Sequence, residues 1–407
     1  MVRSAESVDS NGKGEGLMKS KEPRSAVVGY GTIPTNNQSS NSTKIGTAHL
    51  AILIFYSVSG GPYGFEPMVR SGGGLMTMLG FLVFPLVWSV QEAFVTAELS
   101  SAFPEASGGV AWVEEAFGEF AGWLAGISWC AAGATDNAIY PALIIDYTLQ
   151  LMGWQLHGWP RFIIQSAICI VLIYLNYRGL HVVGDISMGV SLVSLAPFVM
   201  FCILAIPQIQ PSRWFALPES PVIYSTDDNP AGGVLPYAVF SNVIWRTYLN
   251  NLFWNFNYFD NAASFADDVR DPGKTYPRAM AIGLLIVVSV YIFPVAAAIG
   301  VSDEPQHAWV NGYLVTVIAN STGQWVGAWA VFGIAVCNIS LFQAQLSATA
   351  YKLMGMAERG YLPGKLMERN SFGTPTYTLL IGGVIAIVLN MLHMDTLVEA
   401  LNFNYAM

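Results

Sequence analysis

The feature that most constrains this chain is an apolar segment of membrane-spanning length with a polar centre. In this segment Leu252-Phe-Trp-Asn-Phe-Asn-Tyr-Phe-Asp260 carries two asparagines and an aspartate. Hydrocarbon accepts such groups only where the backbone lines a cavity or the side chains bind something. A second interruption, Val58-Ser-Gly-Gly-Pro-Tyr-Gly-Phe-Glu66, lies in the first apolar segment. Two interrupted segments, one opening each half of the chain, indicate a substrate site in a transporter built from inverted repeats.

The composition favours a polytopic membrane protein. The chain is 53% hydrophobic and 11% charged, with a mean hydropathy of +0.46, whereas soluble proteins carry roughly 25% charged residues. All four cysteines fall within apolar runs and are interpreted as small core residues, not as a disulfide or metal framework.

Ten apolar segments approach the length of about 20 residues that crosses a bilayer. They are residues 48–70, 75–101, 119–150, 161–178, 182–207, 239–269, 278–300, 325–356, 375–391 and 396–407. The sequence therefore predicts an all-α polytopic membrane protein with five plus five spans in inverted repeats and breaks in the first and sixth. The expected organisation is a disordered cytosolic tail (1–47), a first repeat (48–207), an extracellular loop (208–238) and a second repeat (239–407) that is truncated within the tenth span.

The basic residues give the predicted orientation. With the amino terminus in the cytosol, only Arg70, Arg161, Arg213 and Arg246 fall outside, and the other 14 of the 18 lysines and arginines fall inside. Cytosolic loops of membrane proteins carry an excess of lysine and arginine, so this orientation is the expected one.

The predicted spans hold more acidic than basic residues. The acids in or near spans are Glu66, Glu92, Glu98, Asp136, Asp146 and Asp260, and no lysine occurs between Lys44 and Lys274. A charge inside the membrane costs about 2.5–3.5 kcal/mol on insertion scales and needs compensation. Protonation, water at a span end and a bound cation all remain open as explanations. A functional role is favoured for Glu66 and Asp260 because both lie at breaks, although Asp260 could also cap a half-helix.

The residues around the breaks favour a cationic ligand. Gly60-Gly61 precedes Pro62, which has no N–H and weakens a cradle for a substrate carboxylate. Tyr63, Phe65, Trp254, Tyr258 and Phe259 surround the breaks, and aromatic faces attract alkylammonium groups. Ordinary helix packing is the alternative interpretation of these rings.

Several motifs carry a family resemblance. They are Val58-Ser-Gly-Gly-Pro-Tyr-Gly-Phe-Glu66, Thr96-Ala-Glu-Leu-Ser-Ser-Ala-Phe-Pro-Glu-Ala-Ser-Gly-Gly109, Asp136-Asn-Ala-Ile-Tyr-Pro141, Tyr174-Leu-Asn-Tyr-Arg-Gly179, Pro207-Gln-Ile-Gln-Pro-Ser-Arg-Trp214, Leu252-Phe-Trp-Asn-Phe-Asn-Tyr-Phe-Asp260, Asp267-Asp268-Val-Arg-Asp-Pro272 and Gly355-Met-Ala-Glu-Arg-Gly-Tyr-Leu-Pro363. From about residue 48 onwards the chain resembles the amino acid–polyamine–organocation superfamily, and most of all its plant-type polyamine uptake transporters.

The resemblance implies a leucine-transporter-like fold and proton-coupled import of polyamines such as putrescine and spermidine. Carried over position by position, it implies substrate contacts at Gly60, Gly61, Tyr63, Glu66, Asp136, Tyr140, Asn257, Tyr258 and Asp260. Glu92 and Asp136 are the candidates for carrying the proton.

The chain departs from the resemblance in four places. Plant-type relatives often have a glutamate where this chain has Ser57, and many superfamily members have a fifth-span lysine near the position of Ser194. The loop 151–159 lacks the cysteine that links some relatives to a heavy chain, so no disulfide-linked partner is expected. Family members usually have twelve spans, so the chain ending at Met407 is expected to be a truncated or natural short form.

Alternatives from other classes follow from the same residues. An amino-acid transporter of the same fold and a non-transporting sensor or inactive short form both stay open. An enzyme is not expected, because no nucleophile-and-base arrangement or metal-spaced cluster occurs and the five histidines are scattered. We expect no cofactor, metal or nucleic-acid partner. The expected location is a lipid bilayer, with the plasma membrane favoured and endomembranes open.

Overall fold

The computed structural model describes residues 45–103, 107–178, 180–219 and 238–406. Most of the predicted tail and residues 220–237 of the predicted extracellular loop lie outside these ranges. The helices of the first half are Thr47–Val58, Glu66–Phe84, Val90–Ala102, Gly109–Phe117, Glu119–Met152, Trp159–Tyr177 and Leu180–Ala205. Those of the second half are Ala238–Ser241, Trp245–Phe256, Pro272–Val301, Tyr313–Thr322, Gln324–Glu358, Thr376–Leu389 and Met394–Ala406.

The length and apolarity of these helices confirm an all-α membrane protein. Four are long and apolar enough to cross a bilayer: 66–102 with its central π-turn, 159–177, 272–301 and 324–358. Apolar side chains such as Leu86, Ile170 and Phe293 are exposed on their outer faces, as expected for a surface that lies in lipid. The inverted symmetry of the two halves stays a prediction.

The first and sixth spans are interrupted, as the sequence predicts. The first consists of helix Thr47–Val58, a non-helical stretch at 59–65, and the start of helix Glu66–Phe84, which bends at Gly73 (φ 70°) into the second span. The sixth consists of helix Trp245–Phe256, a break at Asn257 and Tyr258, and the 3₁₀ helix Phe259–Asp268. The sequence predicts one apolar segment over residues 239–269, and it did not indicate that the part after the break is a 3₁₀ helix.

A π-helical turn at Pro85–Ser89 places the second span against the sixth. The hydroxyl of Ser89 donates to the Phe256 carbonyl (2.7 Å), which ends the outer half of the sixth span. The Trp88 indole donates to Oδ1 of Asn257 (2.9 Å) in the break itself. The end of an interrupted helix leaves backbone carbonyls without donors. The π-helical turn supplies one such donor through the Ser89 hydroxyl.

Three asparagines in the outer half of the sixth span pair a side-chain N–H within their own helix. The side-chain NH₂ groups of Asn250, Asn251 and Asn255 donate to the carbonyls of the residues four positions earlier, at 3.0, 2.8 and 2.6 Å. Such local bonds remove most of the cost of placing an amide donor in an apolar environment.

Polar contacts also join the two halves of the chain. The Asn176 amide on the fourth span donates to the Gln343 carbonyl on the eighth (2.9 Å), and Gln343 donates back to the Leu172 carbonyl (2.8 Å). On the loops, Arg359 pairs with Glu114 of the short helix Gly109–Phe117. These contacts hold the eighth span against the first half of the chain.

Candidate substrate site

The break in the first span uses its own N–H groups. Ser59 and Gly60 donate to the Phe55 carbonyl (2.9 and 3.2 Å), and Tyr63 donates to the Gly61 carbonyl (3.0 Å). Gly61 donates to the Ser59 hydroxyl (3.3 Å). Since Pro62 has no N–H, the N–H groups of residues 59–63 are all accounted for. A substrate carboxylate would have to displace these bonds to be held here.

Gly60 is required at the break by both its backbone and its surroundings. Its φ of 64° lies in the left-handed region that favours glycine. A Cβ atom there would lie 2.6 Å from Cδ1 of Leu341 and 2.9 Å from the Tyr63 hydroxyl. The glycine lets the chain pass against the eighth span and keeps the Tyr63 ring at the break.

A small central cavity lies between the first, third, sixth, seventh and eighth spans. Its lining residues are Ser57, Val58, Ser59, Tyr63, Asp136, Tyr140, Trp254, Tyr258, Tyr291 and Leu341. Asp136 is the one acidic side chain among them, and it is 4% exposed. The cavity is therefore an aromatic chamber with a single carboxylate.

The carboxylate of Asp136 has two neighbours that orient it. The Tyr140 hydroxyl, one helical turn later, donates to Oδ2, and the Trp254 indole lies 3.4 Å from Oδ1. The hydroxyl of Tyr63 is buried and has no hydrogen-bond partner in the described part of the chain. Because buried polar groups nearly always have partners, this hydroxyl marks a position where a ligand would bond.

Glu66 lies outside this cavity and has a full set of donors. Its side chain is 0% exposed, and Oε1 accepts from the Tyr147 hydroxyl (2.7 Å) and from the N–H groups of Gly312 (3.2 Å) and Leu314 (3.4 Å). The Tyr147 hydroxyl also accepts from the N–H of Gly64 (2.7 Å). Glu66 thereby joins the first span, the third span and helix Tyr313–Thr322.

A second acidic cluster lies where the sixth span resumes. Glu92 of the second span accepts from the Phe259 N–H through Oε1 (2.8 Å). The Tyr405 hydroxyl lies 2.5 Å from Oδ1 of Asp260 and 3.1 Å from the same Glu92 oxygen. Oε2 of Glu92 is shielded from solvent and has no partner among the described residues. Two carboxyl groups therefore meet at one hydroxyl.

A second small cavity lies beside this cluster, with Tyr405 in its lining. Its lining includes Trp129, Asn261, Thr349, Lys352 and Tyr405. Tyr258 lines both cavities and holds a φ of 78°, an uncommon value for a residue with a side chain. The break of the sixth span thus lies between the two cavities.

Comparison with known proteins identifies the family. The sequence profile of the amino acid permease family matches residues 45–407. The chain belongs to this family. A probable polyamine transporter of Arabidopsis thaliana is 39% identical over 90% of this chain and 72% of its own length. Polyamine transporter RMV1 of Arabidopsis thaliana is 37% identical over 89% and 70%, and polyamine transporter PUT1 of Oryza sativa subsp. japonica is 36% identical over 90% and 65%.

Family membership makes the protein an integral, multi-pass membrane transporter and not an enzyme. Of the positions expected to contact substrate, the permease brings Tyr63, Asp136, Tyr140 and Tyr258 together around the central cavity. The remaining ones lie outside its lining. Gly60 and Gly61 form the break of the first span, and Asn257 accepts a hydrogen bond from Trp88. Glu66 is bonded to Tyr147, and Asp260 lies with Glu92 beside Tyr405. Their roles in binding stay predictions.

Sequence reasoning missed four residues of these sites in the permease. Tyr147 and Tyr405 supply the hydroxyls that the buried acids need, and Tyr291 and Leu341 complete the cavity wall. The only sequence signal was the shortage of basic partners for the acids, which calls for hydroxyl donors without saying which of the 18 tyrosines they are.

Proposed function

We propose that this permease imports polyamines in symport with protons. The observation that carries the proposal is the central cavity, in which Asp136 is surrounded by aromatic rings and no basic side chain lines the wall. A primary ammonium group would pair with Asp136 and lie against the rings of Tyr63, Trp254 and Tyr258. Cation–π contacts contribute about 0.5–2 kcal/mol each in such surroundings.

The first break supports an amine over a free amino acid. A transporter of free amino acids holds the substrate carboxylate on N–H groups at a broken helix, and here those of residues 59–63 already have acceptors. The names of the relatives point the same way, since three of the plant proteins noted above are polyamine transporters or probable ones.

The proton is assigned to the pair of Glu92 and Asp260. Two carboxylates that meet at one hydroxyl repel each other when both are ionised, so the cluster favours holding a proton. The pair also touches the moving part of such a fold, because Glu92 accepts from the first N–H after the break. In this assignment Asp136 binds the substrate ammonium group, and Glu66 holds the first span, the third span and helix Tyr313–Thr322 together.

An amino-acid transporter is the second candidate, and distant relatives favour it. The arginine/ornithine antiporter of Latilactobacillus sakei is 23% identical over 89% of this chain, and the branched-chain amino acid permease BcaP of Lactococcus lactis is 24% identical over 72%. Arginine and leucine are therefore the competitors that separate the two candidates.

The first experiment measures uptake of labelled spermidine into cells without endogenous polyamine import. We expect uptake that a protonophore abolishes and that excess leucine or arginine does not reduce. The Asp136→Asn variant should lower uptake at least about tenfold, because losing a charged hydrogen bond costs about 1.5–3 kcal/mol. Asp146→Asn is the matched control, since Asp146 lies on the same helix in a peripheral ion pair with Arg161.

The outcomes separate the candidates. Competition by arginine or leucine would replace polyamines with amino acids as substrates. Spermidine binding without uptake would indicate a sensor or inactive form. If the Asp136→Asn variant takes up spermidine at the wild-type rate, Asp136 does not bind the substrate. A fluorescent fusion in the same cells tests the plasma-membrane location that we propose.

A further inference from the structure

The second cavity has the chemistry of a cation site. Three of its walls are aromatic rings, those of Trp129, Tyr258 and Tyr405, and Gln345 and Thr349 add side-chain oxygens. Rings and neutral oxygens bind an ammonium group without the large desolvation cost that a fully buried ion pair carries. Asp260 adjoins the cavity through its hydrogen bond from Tyr405.

One ammonium group is already present there. Lys352 lies six residues before the end of helix Gln324–Glu358, and its Nζ lies 5.2 Å from the centre of the Trp129 ring. No carboxylate lies within salt-bridge distance of Nζ in the described part of the chain. A lysine this near a helix end ordinarily extends its ammonium into water, whereas Lys352 keeps its ammonium on a ring of the cavity wall.

The position of this cavity relates it to the central one. Tyr258 lines both cavities, and Lys352 lies at the end of the molecule that the basic residues predict to be cytosolic. A cation that leaves the Asp136 cavity past Tyr258 therefore arrives where Lys352 is held.

We propose that the second cavity is an inner binding site for a primary alkylammonium group, and that the Lys352 ammonium occupies it as a tethered competitor. The lysine fills the site while no substrate amine is there, and a departing substrate must displace it. Because the competitor is part of the chain, its effective concentration is high and it disfavours rebinding from the cytosol. That the natural ligand is a polyamine rests on the proposed function, whereas the site itself does not.

The test uses the full chain, purified in detergent, with n-butylammonium as a probe that carries one ammonium group. All variants are made in an Asp136→Asn background, which weakens binding in the central cavity. Lys352→Met and Lys352→Gln remove the charge while keeping most of the stem, and Lys352→Arg keeps the charge. Lys365→Met is the matched control, because Lys365 is an exposed lysine of the turn Gly364–Met367. Half-saturation by n-butylammonium is read from thermal stabilisation.

We expect both neutral variants to bind n-butylammonium at least about tenfold more tightly than the background, since an intramolecular competitor has been removed. Lys352→Arg and Lys365→Met should match the background. Equal affinity in all variants would overturn the inference, as would a gain in Lys365→Met.

The two proposals fail separately. A chain that takes up no polyamine, but whose neutral Lys352 variants gain affinity for n-butylammonium, keeps the inner site and loses the proposed function. If polyamine uptake is proton-driven but the Lys352 variants bind n-butylammonium no more tightly, the proposed function stands and the inner site is rejected.

Discussion

Two groups of membrane-embedded carboxyls in this permease differ in how well they are satisfied. Glu66 is completely buried and accepts from a hydroxyl and two backbone N–H groups. Glu92 and Asp260 are half-buried, meet at the single hydroxyl of Tyr405, and leave Oε2 of Glu92 without a partner in the described structure. Both groups lie where a broken helix resumes, so position alone does not separate them.

The difference indicates that the carboxyl groups have two different roles. A carboxyl group with three donors holds its surroundings in place through those hydrogen bonds. Two carboxyl groups that share one hydroxyl, with Oε2 of Glu92 left without a partner among the described residues, gain from a proton. The two groups differ in the hydrogen-bond donors around each carboxyl group, and this difference distinguishes an acid that holds the structure together from a candidate for proton binding.

The largest effect is expected from Glu66→Ala. It would leave the Tyr147 hydroxyl and the Gly312 and Leu314 N–H groups unsatisfied in a buried position, which costs about 1–3 kcal/mol for each donor. We expect little folded protein, as measured by size-exclusion profiles and thermal unfolding in detergent. Glu98→Ala, at an exposed position of the second span, is the control. A Glu66→Ala protein that folds normally and fails only in substrate binding would move Glu66 into the substrate site.

Next in size is the effect of Glu92→Gln, which keeps the shape and an acceptor for the Phe259 N–H but removes the ionisable group. We expect proton-driven uptake to fall about tenfold or more, equivalent to about 1.4 kcal/mol. Exchange of labelled for unlabelled spermidine, which needs no net proton movement, should persist. Loss of both activities together would assign Glu92 to the architecture of the break instead of to coupling.

The smallest effects come from a matched pair of hydroxyl deletions. Tyr147→Phe removes the donor of the satisfied acid and should lower the free energy of unfolding by about 1–2 kcal/mol without changing the KM for spermidine. Tyr405→Phe removes the donor of the acid pair and should change stability by less than about 1 kcal/mol while lowering uptake severalfold and altering its dependence on external pH. Thermal unfolding and uptake at several pH values, measured on both variants, make the comparison. Equal behaviour of the two would erase the distinction.

Much of the fold could be predicted from the sequence because the bilayer imposes simple rules. Apolar length predicted ten spans, and four helices in the described ranges are long and apolar enough to cross a bilayer. Polar residues within apolar runs located both breaks, as the ends of helices Thr47–Val58 and Trp245–Phe256 confirm. The 3₁₀ form of Phe259–Asp268 was not predictable, since it depends on the Phe259 N–H being taken by Glu92 from another span.

The site was less predictable because its contacts join distant parts of the chain. Glu66 finds Tyr147 across 81 positions, and Asp260 finds Tyr405 across 145. Composition shows that such acids need donors, but only tertiary structure selects them. Lys352 illustrates the same limit, because in sequence it counts only toward orientation, whereas in the structure it lies in a cavity.

The self-bonded asparagines of the sixth span bear on how the protein is made. Asn250, Asn251 and Asn255 donate to carbonyls of their own helix, so one N–H donor of each side chain is paired without any other span. The outer half of this segment therefore brings its own partners into the translocon and can enter lipid as a lone helix. The side-chain donor of Asp260 comes from another span, because Tyr405 is synthesised 145 residues later. The order of synthesis thus requires the inner part of the span to wait at the membrane surface, or to enter with its carboxyl protonated, until the tenth span arrives.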